Sequence, residues 1–86
     1  MRITYDEAKN KANIAKHGLS FDLVTDCDWS DPVILEDERF DYGEVRYSAF
    51  VMLNSRLHNV VFTLRNGDMR IISFRKANQR ESKIYG

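Results

Sequence analysis

The sequence predicts an α+β domain: a small antiparallel β-sheet with two N-terminal helices and a C-terminal helix. Three observations carry that expectation. Residues 47–74 hold three apolar and aromatic runs separated by turn-forming residues, the pattern of a meander. Before them, D-E-A-K-N-K-A-N-I-A-K-H-G (residues 6–18) has a capping residue at its start and a glycine at its end. After them, A-N-Q-R-E-S-K-I-Y (residues 77–85) is polar and lacks strand character.

The elements follow in order. Arg2–Tyr5 alternates polar and apolar residues and suits a short strand. Asp6 is placed to cap a helix, with Glu7 in the first turn where a carboxylate meets the positive end of the helix dipole. Ala8, Ala12, Ile14 and Ala15 stand among Lys9, Lys11 and Lys16, a small-residue helix with a cationic side. Gly18 is a natural terminator, because the left-handed conformation that ends many helices costs glycine nothing. Ser20 would cap a second short helix carrying Phe21, Leu23, Val24 and Trp29, which Pro32 ends. Val33–Leu35 suits a strand, and residues 36–44, E-D-E-R-F-D-Y-G-E, read as a loop or hairpin connection. Tyr47–Leu53, Leu57–Leu64 and Met69–Phe74 are the meander, with turns at Asn54-Ser55 and at Asn66-Gly67-Asp68. The helices are expected on one face of the sheet.

With 86 residues, 43% of them hydrophobic and 12% aromatic, the chain has room for one domain, residues 1–86, and one core. Cys27 stands alone, so no internal disulfide is expected. With Cys27, His17 and His58 as the only soft ligands, no zinc site of the usual ligand count is expected, and no cofactor. The opening M-R-I-T-Y-D-E lacks the apolar run of a signal peptide and no stretch approaches transmembrane length, so a cytoplasmic protein is expected, without membrane attachment.

Charge is the most informative property. The formal net charge is zero, yet residues 65–86 hold six basic side chains against two acidic ones, a balance of +4. Residues 22–46 run the other way, with nine carboxylates against Arg39 and Arg46, a balance of −7. A dipolar chain of this kind can hold phosphates on one surface without the high pI of a general nucleic-acid binder.

The candidate residues follow from that charge. Arg65, Arg70, Arg75 and Lys76 form a cluster able to hold phosphate and to neutralise charge developing on a phosphorane. Each arginine taken singly reads first as a solvated charge or a partner for the acidic segment; the group reads equally as a site. His17 has an intrinsic pKa suited to general acid or base work, although a helix-terminal histidine reads first as a cap. Glu44, beside Gly43 and Arg46, is either a base or an ion-pair partner. Tyr85 could stack on a base or anchor its helix to the sheet. Cys27 reads as a small part-buried residue, His58 as a surface or cross-strand residue, and Phe21, Trp29, Phe50, Phe62 and Phe74 as core.

Three blocks in order resemble the BrnT family: Y-D-E-A-K-N-K-A-N-I-A-K-H-G-L-S-F, D-E-R-F-D-Y-G-E-V-R and R-I-I-S-F-R-K-A-N-Q-R-E-S-K-I-Y, with V-V-F-T-L-R between the last two. The resemblance covers nearly the whole chain. It implies a compact RelE-like ribonuclease fold and the toxin of a type II toxin–antitoxin pair. Translation arrest would come through metal-independent RNA cleavage. The implied partners are RNA and a DNA-binding, BrnA-like antitoxin, with two toxin copies if that antitoxin is a dimer. It carries over Arg65, Arg75 and Lys76 as site candidates first, then His17, Glu44 and Tyr85. Arg70 and Arg80 are the expected further RNA contacts. A non-catalytic RNA- or protein-binding module, or a degenerate toxin kept for autoregulation, is the alternative.

Overall fold

The structure, a computed structural model, describes residues 2–39 and 41–86. Phe40, within the expected connection, and Met1 lie outside the described residues. The elements are β1 (Ile3–Thr4), α1 (Glu7–His17), a 3₁₀ segment (Phe21–Asp26), β2 (Asp28–Asp37), β3 (Arg46–Leu53), β4 (Arg56–Arg65), β5 (Asp68–Lys76) and α2 (Gln79–Tyr85). The strands form one five-stranded sheet in the order β1-β5-β4-β3-β2. β1 pairs with β5 in parallel and every other pair is antiparallel, so the sheet is mixed and not purely antiparallel.

Local chemistry explains most boundaries. The Asp6 carboxylate accepts from the backbone N–H groups of Ala8 and Lys9 at 2.8 and 3.2 Å, and Gly18 closes α1 at φ +72°. Asn66 and Gly67, at φ 52° and 80°, supply the two left-handed residues that a tight two-residue hairpin needs. Asn54 and Ser55 do the same for the β3–β4 turn, at φ 50° and 63°. Asn78 and Glu81 form a reciprocal capping box at the start of α2.

Three further expectations are corrected. The second N-terminal helix is a six-residue 3₁₀ segment, capped by Ser20, so the chain has one N-terminal α-helix. Pro32 does not terminate it: Trp29 and Pro32 both belong to β2, which runs from Asp28 to Asp37. β2 is an edge strand whose register slips between Asp28 and Val33, the kind of position that tolerates a residue without an N–H. The helices also occupy both faces of the sheet.

Under α1 and the 3₁₀ segment lies the main core, built on Phe21, Val24, Val60, Phe62, Ile71 and Phe74. On the opposite face Phe50, Leu57 and Ala77 form a smaller cluster, with the Tyr85 ring of α2 stacked on Phe50 at 4.2 Å between centroids. Trp29 packs against Phe62, and its Nε1–H donates to the Val24 carbonyl at 2.9 Å. Cys27 is buried, and that burial with Asp26 nearby pushes its thiol up to about 11.

The docking of α1 is unusual for a helix because the residues it buries are asparagines, Asn10 and Asn13. Asn13 Nδ2 donates to the carbonyls of Leu19 (2.9 Å) and Phe74 (2.8 Å), while its Oδ1 accepts from the Phe74 N–H at 3.1 Å. Asn10 Oδ1 accepts from the Phe21 N–H at 2.8 Å. These amides take the place of an apolar stripe and hold both the 3₁₀ segment and β5 to the helix. Replacing Asn13 by alanine leaves the Phe74 N–H and C=O buried without those partners. A loss on the order of 2–3 kcal/mol in urea unfolding is the expected outcome. Asn13→Asp, which keeps the acceptor and loses the donors, should be no better, and a parental midpoint for either variant would contradict this account.

Candidate functional site

Strand alternation gives the sheet an inner face, under α1 and the 3₁₀ segment, and an outer face that α2 covers only at one corner. On the outer face the register lines residues up in rows. Val33, Phe50, Asn59 and Arg75 form one; Leu35, Ser48, Val61 and Ser73 form the next. Asp37 beside Arg46 and Thr63 beside Arg70 come after these, and Arg65 beside Asp68 lies at the hairpin end.

The phase of β5 decides which arginines share this face. Arg70 and Arg75 are five residues apart, an odd spacing that would send them to opposite faces of an unbroken strand. The register slips between Val61 and Phe62: Val61 pairs with Ser73 but Phe62 pairs with Ile71, leaving Ile72 as an extra residue. That bulge restores the phase. Arg70, opposite Thr63, and Arg75, opposite Asn59, therefore both stand on the outer face.

A groove of about 480 Å³ runs between α2 and the end of β2, lined by Asp37, Arg39, Ser48, Phe50, Asn59, Arg75, Arg80, Glu81 and Tyr85 among others. Arg75 is its most constrained cation. Its Nη1 and Nη2 donate to the two oxygens of Glu81 at 2.7 and 2.9 Å, and Nη1 also reaches the Lys76 carbonyl at 3.2 Å. Of its five N–H groups, Nε–H and one N–H of Nη2 remain for a ligand. Glu81 accepts the Asn78 N–H at 3.0 Å with the same carboxylate, so the cap of α2 and the posture of Arg75 are one arrangement. The hydrogen bonds from Arg75 hold the Glu81 carboxyl below its ordinary value.

Across the groove Arg39 donates from Nε and Nη2 to the Asp37 carboxylate at 2.9 and 3.0 Å, with the guanidinium side chain 71% exposed. These bonds, helped by the Tyr42 hydroxyl at 3.3 Å, hold the buried Asp37 carboxyl down to about 2. Between the two arginines the Asn59 amide donates to Ser48 Oγ at 2.7 Å and to the Ala49 carbonyl at 3.2 Å, fixing a polar patch. Arg80, at the rim on α2, is exposed and makes no ion pair among the described residues.

The structure gathers some of the expected site residues and separates others. Arg75, Arg80 and Tyr85 line one groove, Tyr85 through a ring stacked on Phe50. Arg65 stands beside the hairpin turn, six residues along β4 from Asn59 and so about 20 Å from the Arg75 row. Glu44 sits there too, paired with Arg65 at 3.1 Å and Arg46 at 3.4 Å, and these pairs lower its carboxyl pKa, Arg65 foremost. Arg46 in turn lies over the Tyr42 ring at 3.9 Å. Arg70 lies between the two ends on the outer face. Lys76 ends β5 opposite His58, whose ring packs against the inner-face Phe74. His17 is half-buried at the end of α1; desolvation lowers its pKa first, and Lys16 and Arg75 lower it further, which favours a neutral imidazole near pH 7.

Sequence reasoning missed Arg39, Ser48 and Asn59 as parts of a site. Arg39 stood in a stretch read for its acidity, while Ser48 and Asn59 lay within runs read for their apolar content. The signal was there: an amide and a hydroxyl interrupting apolar strands call for partners.

The residues of this groove fall within the blocks whose resemblance was noted above, and comparison with family models decides the matter. The model described as "Ribonuclease toxin, BrnT, of type II toxin-antitoxin system" matches residues 5–81. The chain belongs to the BrnT family. A comparison with curated proteins finds no match. BrnT membership makes this chain the toxin of a type II pair, with ribonuclease activity, an RNA substrate and an antitoxin partner. Among the described residues, no helix is long and apolar enough to cross a membrane.

The Asp37–Arg39 pair has a pH signature. The folded Asp37 carboxyl titrates at about 2, below its ordinary 3.8, so its stabilising contribution is present above pH 4 and is lost as pH falls through 2. Denaturant midpoints should fall through that window, and Asp37→Asn should flatten the fall. An unchanged acid limb in Asp37→Asn would show that the pair does not stabilise the fold.

Proposed function

We propose that the outer-face groove is the ribonuclease site of this toxin and that cleavage uses the substrate's own 2′-hydroxyl, without a metal ion. In such a reaction the hydroxyl attacks the adjacent phosphate, and the 5′-oxygen of the next nucleotide leaves. The protein orients the attack, stabilises the added charge of the phosphorane and moves two protons. Residues 1–86 act as one RelE-type domain in this reading, in the cytoplasm, and RNA cleavage arrests translation.

The observation that carries the reading is the convergence of Arg39, Arg75 and Arg80 on one polar groove of a BrnT chain. Arg75 takes the phosphorane charge, through Nε–H and the unengaged N–H of Nη2, while Glu81 holds its plane. Arg39 and Arg80 grip flanking phosphates, and Arg70, Arg46 and Arg65 extend the strip along the outer face for the rest of the strand. Among the titratable groups His17, which favours the neutral form near pH 7, is the leading candidate for proton transfer, from the end of α1 beside the groove's lining residues rather than among them. Lys76, which alternation turns to the other face from Arg75, contributes at most long-range positive potential. Glu44 is the alternative base. Its two ion pairs at the far end favour a role in holding Arg65 and Arg46 instead. Tyr85 anchors α2 and offers its rim to a base. The antitoxin is a DNA-binding BrnA-like protein, and a dimer of it would bring in two toxin copies.

A second reading has its own observation: both terminal nitrogens of Arg75 are engaged by Glu81, as a purely structural lock of α2 would require. The chain would then bind RNA or protein without cutting.

RNA cleavage separates the two. Arg75→Ala is expected to slow the appearance of 2′,3′-cyclic phosphate ends by about 10²–10³-fold and to relieve growth arrest. A parental rate in that variant, with the fold confirmed by circular dichroism, sinks the assignment. Arg39→Ala and Arg80→Ala should each weaken RNA binding and reduce its salt slope by about 1, with a smaller effect on the bound-state rate. An unchanged salt slope in both would remove them from the interface.

A further inference from the structure

The inner face carries a second groove, of about 650 Å³, for which RNA cleavage has no use. It crosses the hairpin-side half of the sheet beside the 3₁₀ segment, and Trp29, Ile34, Tyr47, Phe62, Leu64 and Met69 line it. Ile34 and Leu64 are 47% and 49% exposed. An open apolar trough of this size on a small domain marks a surface meant to be covered.

Its charge says what covers it. Alternation sends Arg46, Arg65 and Arg70 to the outer face, so over this half of β3–β5 the inner face has no basic side chain. Arg2, beside β1, is neutralised by Asp68 at 2.6 Å. Asp26 on the 3₁₀ segment and Glu36 on β2, opposite the groove's Tyr47, have no ion pair among the described residues, and Asp22 has none either although its carboxylate accepts from the Tyr5 hydroxyl at 2.5 Å. RNA would be repelled here. A second copy meeting the groove by two-fold symmetry would set these carboxylates against themselves.

We propose that this groove docks an amphipathic segment of the antitoxin, with an apolar ridge in the trough and lysines or arginines flanking it against Asp22, Asp26 and Glu36. The proposal rests on the toxin–antitoxin pairing of the family and adds where the partner sits and what chemistry it presents. Because the groove is on the face away from Arg75, docking and cleavage are separable by mutation.

The test uses the purified toxin and its cognate antitoxin. Ile34→Lys and Leu64→Lys, both at exposed positions, should each weaken the complex by about tenfold or more while RNA cleavage stays parental. Asp26→Lys should weaken it further and reduce its salt dependence. As a readout that needs no substitution, Trp29 is the chain's single tryptophan. Toxin labelled with 5-fluorotryptophan should show one ¹⁹F resonance that shifts when unlabelled antitoxin binds. Parental affinity in both lysine variants, or an unmoved resonance in a formed complex, overturns the proposal and leaves the toxin assignment intact. Self-association of free toxin that Leu64→Lys abolishes, with antitoxin affinity unchanged, assigns the groove to a second copy and also overturns it. Failure of the parental toxin to bind the antitoxin at all overturns the pairing itself.

Discussion

The strict two-residue alternation of β3, β4 and β5, reset once by the bulge at Ile72, is the constraint on which the rest depends. Four strands of eight to ten residues give the chain two faces to furnish. Val60, Phe62, Ile71 and Phe74 can share a core only if Ile72 is inserted between Ile71 and Ser73, since Ile71 and Phe74 stand three residues apart. The same insertion places Arg70 and Arg75 together outside. One extra residue thus satisfies a packing demand and a charge demand at once. Without it, either Phe74 and Arg75 beyond the bulge or Arg70 and Ile71 before it would exchange faces, and a buried unpaired guanidinium is among the costliest groups a small core can hold.

Polar side chains, not apolar stripes, attach the helices to this sheet. Asn10 and Asn13 saturate backbone groups of Phe21, Leu19 and Phe74, which lets α1 sit beside β5 with its alanines and Ile14 left in water. α2 buries no residue fully and is held by the Tyr85–Phe50 stack and by the Arg75–Glu81–Asn78 arrangement. A seven-residue helix is too short to persist unaided, so its order depends on those contacts. The posture of Arg75 and the folding of α2 are consequently coupled: what disturbs one disturbs the other, and an anion that draws Arg75 from Glu81 loosens the helix cap as well.

Strands and their turns were legible because they are written locally. Asn66-Gly67 and Asn54-Ser55 supply positive φ, and the apolar runs between them have the right length. The 3₁₀ segment, the continuation of β2 through Pro32 and the parallel pairing of β1 were not legible, because each depends on a neighbour distant in sequence. The site was half legible. Its arginines announce themselves by charge, but their grouping depends on where the bulge falls. Arg65 and Arg75 look like one cluster in sequence and stand at opposite ends of the sheet in space. Arg39, read within an acidic stretch, reaches the groove because its own carboxylate partner is two residues away in Asp37.

Neutrality of the whole chain conceals a division of labour between the faces. The carboxylates of residues 22–46 do not simply balance the basic end. Asp37 and Glu44 cross to the outer face and fix the guanidinium groups of Arg39, Arg46 and Arg65, while Asp22, Asp26 and Glu36 form no ion pair among the described residues. Pre-paired arginines bind an incoming phosphate with less loss of side-chain freedom, though at reduced charge, which favours recognition by shape and hydrogen bonds over bulk attraction. On that reading, zero net charge and paired guanidinium groups work against indiscriminate retention of nucleic acid. If the partner docks on the inner face as proposed, it need not first displace RNA from the outer one.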